Sequence, residues 1–322
     1  MKTTETDIPK FVEQNYSIGT VLSFYKIDSG VMNKNYLLET KTNKYIFRVA
    51  THNRRNQIYN MVPFMVYASN SDYPCPKIIC TKDNRNSVTL GKKTVFIMSF
   101  IDGIQGNPSI LNDSKIASMA ANIAKLHKLN WTTNYKAKNI TLEHPFKFYE
   151  KFRALLIDSK LSGKEDYFKS MDEEFKLLKK SMPDIVTKLP SGVIHNDATQ
   201  WNTLFVGDEV SSLVDFESVG IGPFLYDVAR AINTSCFVDN KFNQLSANEF
   251  ISAYQKKRKF SDIEKQYFPV ILRYIAWRHA AYFMSLYYRT NDYPPPECMD
   301  YKCFRYYQRI GNERLLELFS FS

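Results

Sequence analysis

The residues whose types and spacing carry the most chemistry lie in the polar stretch between Gly192 and Phe224. Asp197 stands two residues after His195, and Asn202 follows it five positions on. Further along, Ser212-Leu213-Val214-Asp215-Phe216-Glu217 sets a second carboxylate at a strand end, with Glu217 as a third acid beside it. Asn202 and Asp215 are hard oxygen donors of the kind that suit Mg²⁺. Asp197 can orient a substrate hydroxyl or accept its proton. Phosphoryl transfer from a metal-bound nucleotide needs this division of labour, because it depends on positioning and charge neutralisation more than on covalent chemistry.

The elements that must hold these residues can be read from pattern. Val193-Ile194 ends a short strand, Thr203 to Val206 begins another, and Gly207-Asp208 turns it back as a hairpin. Upstream, residues 20–27, 35–40, 44–49, 77–80, 87–90 and 93–100 read as strands, with one amphipathic helix over 57–68. The breaker cluster Ile101-Asp102-Gly103-Ile104-Gln105-Gly106-Asn107-Pro108 closes this part. Helical periodicity follows over 114–129, capped by Asp113 or Ser114, over 166–182, and from Leu225 to the end. The expected architecture is α+β: a strand-rich N-terminal lobe over residues 1–100, a hinge at 100–106, and a larger, mainly helical lobe over 101–322.

Composition removes competing classes. With 322 residues, 44% of them hydrophobic, the chain can bury a substantial core and is not disordered. The net charge of +10 admits nucleic acid, an anionic membrane or an anionic small molecule. No RNA-binding motif is present, and the run Lys256-Lys257-Arg258-Lys259 reads as a solvated helix end. Arg273, Arg278 and His279 interrupt the most apolar helical stretch, which excludes a membrane span there. The N-terminus lacks the apolar core of a secretory signal, so a cytoplasmic protein is expected. Cys75/Cys80 and Cys298/Cys303 loosely imitate zinc spacing but have no histidine nearby; thiols are expected.

His195-x-Asp197-x₄-Asn202 followed by Asp215-Phe216 resembles the catalytic loop and metal aspartate of the kinase-like phosphotransferases, which include the aminoglycoside and choline kinases. The first spacing alone arises by chance on the order of once per hundred chains, so the strand-end Asp-Phe that follows is what makes coincidence poor. Gly222-Pro223-x-x-Tyr226-Asp227-Val228-Ala229 extends the match. Within this superfamily the chain is most similar to the type II homoserine kinases. That likeness rests on Gly30-Val31-Met32-Asn33-Lys34-Asn35-Tyr36, Pro63-Phe64-Met65, Pro74-Cys75-Pro76 and Leu189 to His195.

The resemblance implies a bilobal protein-kinase-like fold and ATP- and Mg²⁺-dependent phosphorylation of a small hydroxyl compound, with no nucleic-acid or membrane partner. It makes Asp197 the catalytic base and Asn202 and Asp215 the metal ligands. His195 becomes a structural member of the loop, and Asp227 its brace. Ser29, Gly30 and Asn33 would cover the phosphates, Phe100 and Ile101 would contact adenine, and Arg48 occupies the place of the usual phosphate-binding lysine. The acidic helix partner of that lysine is missing, since residues 54–65 contain no Glu or Asp. His127 is expected to pack or to support the site. The acceptor is homoserine or a similar amino-acid alcohol, with an aminoglycoside, amino sugar or choline as alternatives and a nucleotide-binding pseudokinase as a further one. Arg230, Arg273, Arg278 or Arg289 could meet an acceptor carboxylate.

Overall fold

The computed structural model describes residues 8–27, 34–50, 55–131, 143–157, 160–161, 163–238, 241–292 and 294–321. A helix unforeseen from pattern, α1 (Ile8–Asn15), precedes the first strand and buries Ile8 and Val12, one turn apart on one face. It covers a sheet of β1 (Val21–Ile27), β2 (Lys34–Thr40), β3 (Lys44–Val49), β4 (Ile78–Ile79), β5 (Val88–Leu90) and β6 (Lys93–Ser99). The strand order is β1-β2-β3-β6-β4, with β5 also on β6, and every pairing is antiparallel.

Strand alternation splits the molecule into two cores. Val95 and Ile97 of β6 join Ile8, Val12, Tyr36, Leu38 and Phe47 on the α1 side of the sheet. Phe96 and Met98, pointing the other way, join α2 (Arg55–Asn70) and the helices in a larger core. Arg48 lies between Phe47 and Val49 in β3, so it too faces the helical side.

The second part runs β7 (Ile104–Gln105), α3 (Asp113–Leu126), α4 (Glu143–Leu156), α5 (Glu165–Lys188), β8 (Ser191–Ile194), β9 (Thr203–Val206), β10 (Glu209–Leu213), β11 (Gly220–Pro223) and α6 (Leu225–Ser235). A hairpin of β12 (Phe237–Val238) and β13 (Lys241–Phe242) interrupts what pattern gave as continuous helix. Then come α7 (Gln244–Gln255), α8 (Asp262–Thr290), α9 (Met299–Ile310) and α10 (Asn312–Glu317). None of the described helices is long and apolar enough to cross a membrane.

Two of the boundaries that differ from expectation have a visible cause. The cap of α3 is Asn112, whose side chain accepts the Lys115 N–H at 2.8 Å, rather than Asp113 or Ser114. Asn, Asp and Ser serve equally as caps, so residue type could not choose among them. Helix α5 continues past Met182 to Lys188 and carries Pro183, because Met182 and Ile185 keep burying its apolar stripe. The long α8 opens on a capping box, with the Ser261 hydroxyl on the Glu264 N–H and the Glu264 carboxylate on the Ser261 N–H. It buries Ile271, Leu272, Tyr274, Trp277 and Ala280 as the central post of the helical part. All five cysteines are free thiols.

Two small sheets bring the chemical residues together. β8 pairs with β11, and β9 lies between β10 and β7. Gly106 makes the close approach that seats β7 on the reactive segment: its N–H donates to Thr203 at 2.9 Å, and a Cβ there would lie 2.4 Å from the Gln200 carbonyl oxygen.

Candidate active site

The loop after β8 is held from beneath by one carboxylate. Asp227, fully buried in the first turn of α6, accepts the backbone N–H of His195 at 2.6 Å and of Asn196 at 2.7 Å. Asn196 is thereby fixed in the left-handed region at φ 62°, which turns Asp197 out of the strand direction. The Asp227 carboxylate also meets His127 Nε2 at 3.2 Å, and His127 Nδ1 lies 2.7 Å from the Tyr254 hydroxyl. Burial pushes the His127 pKa below the ordinary histidine value, although Asp227 pulls the other way. The ring is therefore neutral at pH 7: Nε2–H donates to Asp227, and Nδ1 accepts from Tyr254.

Arg258 completes this brace. Its guanidinium donates to Tyr254 at 3.2 Å and to Glu264 at 2.9 Å, and stands 4.2 Å from the Phe224 ring centroid. The basic run at 256–259 is thus not wholly a solvated helix end. Lys256, Lys257 and Lys259 are exposed, but Arg258 turns inward. Pattern missed this because the glutamate and aromatic ring that attract it come from neighbouring segments.

His195 is fully buried and donates from Nε2 to the Val214 carbonyl at 2.9 Å, with its ring 4.7 Å from that of Phe216. It ties the Asp197 loop to the strand end bearing Asp215. A second tie is the Val214 N–H to the Asn202 carbonyl at 2.9 Å. Asn202 donates its amide to the Asp197 carbonyl at 2.9 Å and to Asp197 Oδ2 at 3.0 Å, so Oδ1 is the end left for a cation. Asp215 adopts φ 65°, ψ 51°, a left-handed conformation uncommon outside glycine. Phe216 anchors that turn by packing against Phe64 at 5.3 Å.

Asp197 and Asp215 both reach solvent: the Asp197 side chain is two-fifths open and that of Asp215 nearly half. Partial burial raises the Asp197 pKa, but the Arg230 guanidinium beside it outweighs that and holds it below the ordinary carboxylate value. Arg230 Nε donates to Asp197 Oδ1 at 3.1 Å, and its Nη1 to buried Asp300 at 2.7 Å. Arg230 lies three residues after Asp227, a spacing that puts both on one helix face; the partner Asp300, on α9, leaves no such trace.

Arg48 reaches from β3 to the same centre. Its Nε donates to Asn35 at 2.8 Å, and its Nη1 donates to Glu217 at 3.0 Å and to Asp215 at 3.3 Å. Both the Arg48 and the Glu217 side chains are about nine-tenths buried. The acid that pattern could not find on α2 therefore comes from the turn after Asp215. The Phe100 N–H, one of the backbone groups expected to face adenine, donates instead to the Lys44 carbonyl at 3.2 Å. Ser29, Gly30 and Asn33 lie outside the described residues.

Among the described residues, no cluster of three or more His, Cys, Asp or Glu could hold a metal unaided. One carboxylate and one amide oxygen suit a Mg²⁺ that arrives with phosphate oxygens and water as its remaining ligands. The whole arrangement offers an ionised carboxylate for a hydroxyl, a hard-oxygen edge for a metal, and a guanidinium beside each: Arg230 on Asp197 and Arg48 on Asp215.

Comparisons with known proteins agree with this geometry. Residues 24–258 match the family described as Phosphotransferase enzyme family (APH). A homoserine kinase of Nitrobacter winogradskyi is 28% identical over 313 residues, covering 93% of this chain and 91% of that protein. A homoserine kinase of Rhodopseudomonas palustris is 29% identical over 270 residues, covering 82% and 79%. Among solved structures, amicoumacin kinase in complex with AMP-PNP, Ca²⁺ and Ami superposes with a TM-score of 0.74 at 13% identity, covering 99% of this chain and 96% of that one. The microcompartment-associated aminopropanol kinase gives 0.68 at 16% identity, covering 98% and 100%. At such identities these likenesses establish the bilobal kinase fold, and the match over residues 24–258 carries the assignment further: the chain belongs to the phosphotransferase enzyme family.

Proposed function

We propose that the protein is an ATP- and Mg²⁺-dependent kinase of a small hydroxyl compound, an amino-acid alcohol of the homoserine type. The nucleotide would sit between a lobe over residues 1–100 and one over 101–322, hinged at 100–106. The carrying observation is Asp197: ionised, steered by Arg230 and Asn202, and tied through Val214 to Asp215. The homoserine kinases aligned over most of the chain support the acceptor class.

In the reaction, Asp197 accepts a hydrogen bond from the acceptor hydroxyl and aims its oxygen at the γ-phosphorus. The new O–P bond forms as the bond to the departing ADP breaks, and the hydroxyl proton passes to Asp197. With its pKa held low, Asp197 orients more than it abstracts, as a dissociative transition state requires. Asn202 and Asp215 would hold Mg²⁺, which neutralises charge on the phosphates when bound. Arg48, fixed by Glu217 and Asn35, presents a guanidinium to the same phosphates. A pseudokinase is the poorer reading, because the Arg48 carboxylate partner is present in Glu217.

Asp197→Asn keeps the shape and removes the charge. It should lower kcat by about 10²- to 10⁴-fold while ATP still binds. Wild-type turnover in that variant would overturn the assignment.

A further inference from the structure

Arg278 differs from the other arginines of the helical part that reach inward. Arg153 meets Asp172, Arg230 meets Asp197 and Asp300, Arg258 meets Glu264, and Arg273 meets Glu174. Arg278, half-buried on α8, forms no ion pair among the described residues. Its Nη1 donates instead to the neutral side-chain oxygen of Asn196 at 3.0 Å. Asn196 is the residue immediately before Asp197, in the left-handed turn that presents it. An incompletely compensated guanidinium therefore stands one residue from the carboxylate that receives the hydroxyl. A partly desolvated charge is stabilised when an anion supplies the missing half of the pair.

The surrounding charges leave Arg278 as the cation without a carboxylate among the described residues of this cluster. Asp197 and Asp300 are offset by Arg230 and Arg278, so the cluster is neutral as it stands. His279, next to Arg278, adds no charge: burial and the two guanidinia hold its pKa well below the ordinary value, and its Nδ1–H donates to the Ile275 carbonyl at 2.8 Å. The other candidate cations are otherwise engaged. Arg273 grips Glu174 with both carboxylate oxygens at 2.6 Å, Arg289 bonds its own helix at Ser285, and Arg230 lies between two aspartates.

We propose that Arg278 is the anchor for a carboxylate on the acceptor, setting the enzyme's preference for hydroxy amino acids over amino alcohols that lack the acid group. The inference deepens the amino-acid-alcohol reading and rests on it. With the carboxylate on Arg278, a short carbon chain delivers the terminal hydroxyl to Asp197.

The test compares L-homoserine with 3-aminopropan-1-ol, the same chain without its carboxylate, in the full-length wild type, Arg278→Ala and Arg278→Lys. The ratio of kcat/KM for the two acceptors, and of their Kd values with AMP-PNP and Mg²⁺ present, should favour homoserine in the wild type. In Arg278→Ala the ratio should fall by about 10- to 100-fold, the range for a lost charged hydrogen bond. Arg278→Lys should recover part of it, keeping the charge without the fork. A wild type with no preference for the carboxylate, or an alanine variant that retains the preference, overturns the proposal. If the wild type phosphorylates neither compound, the acceptor reading has failed, and the Kd ratios still decide the role of Arg278.

Discussion

At the scale of single residues, the pairing of Arg48 with Glu217 has a measurable consequence. The guanidinium divides its Nη1 between Glu217 at 3.0 Å and Asp215 at 3.3 Å. Glu217 thus keeps Arg48 from settling wholly on Asp215, the carboxylate proposed for Mg²⁺. Glu217→Gln preserves size and removes that competition, so Arg48 should move onto Asp215 and oppose the metal. The KM for MgATP and the Mg²⁺ concentration giving half-maximal rate should each rise by about 10-fold, the worth of one modest charged contact. Titrating both in wild type and variant checks this, and unchanged values would remove Glu217 from the phosphate site. Asp197, Asn202 and Asp215 were legible in the sequence because they sit within one short stretch at a fixed spacing. The Glu217 partnership was not, since Arg48 lies on a strand far earlier in the chain and only the closed fold brings the two together.

At the scale of elements, the Asp197 loop is braced by side chains from four surrounding helices. His127 caps the C-terminal end of α3, α6 carries Asp227, α7 carries Tyr254, and α8 supplies Glu264 to Arg258. This brace requires a neutral imidazole, which ties stability to pH. The His127 pKa is depressed by burial, so the unfolded chain takes up a proton near pH 6.5 while the folded chain does not. The unfolded state then binds more protons, and stability is lost as pH falls below that point. The slope attributable to one such site approaches about 1.4 kcal/mol per pH unit. Urea midpoints between pH 7.5 and 5.5 should therefore decline in the wild type and decline less steeply in His127→Gln. Equal slopes would mean that His127 titrates alike in both states. Pattern placed α3 because its apolar periodicity is sustained, and gave α8 only as part of one helical run from Leu225 to the end. It missed α1, α4 and the β12–β13 hairpin, whose short apolar runs acquire meaning only against the partners they cover.

At the scale of the whole molecule, the surplus positive charge proves largely peripheral. Lys164, Lys169, Lys176, Lys179, Lys180 and Lys188 are exposed on or beside α5, and three of the lysines near residue 258 face solvent. Beside the Arg48 pairs with Glu217 and Asp215, an apolar core joins the two lobes. The larger core runs without a break from Met61, Val62, Phe64 and Met65 of α2 into Trp131 and Phe216 of the helical part. Phe64 meets Trp131 edge-on at 5.3 Å and Phe216 at 5.3 Å. Burying each large side chain contributes about 1.5–3 kcal/mol, and four of them together rival the net stability of a typical domain, about 5–15 kcal/mol. The shared core predicts that a division at residue 100 separates two lobes of one cooperative unit rather than two domains able to fold alone. Residues 101–322 expressed without the sheet and α2 would leave Trp131 and Phe216 open to water. Phe216 is also the anchor of the turn that sets Asp215, so the fragment should lose the metal edge together with its packing. It should bind a hydrophobic dye and give a broad thermal transition, whereas the full chain should unfold in one step that MgATP shifts upward. A fragment that melts sharply, excludes the dye and retains native near-UV dichroism would show that the helical lobe is a domain in its own right.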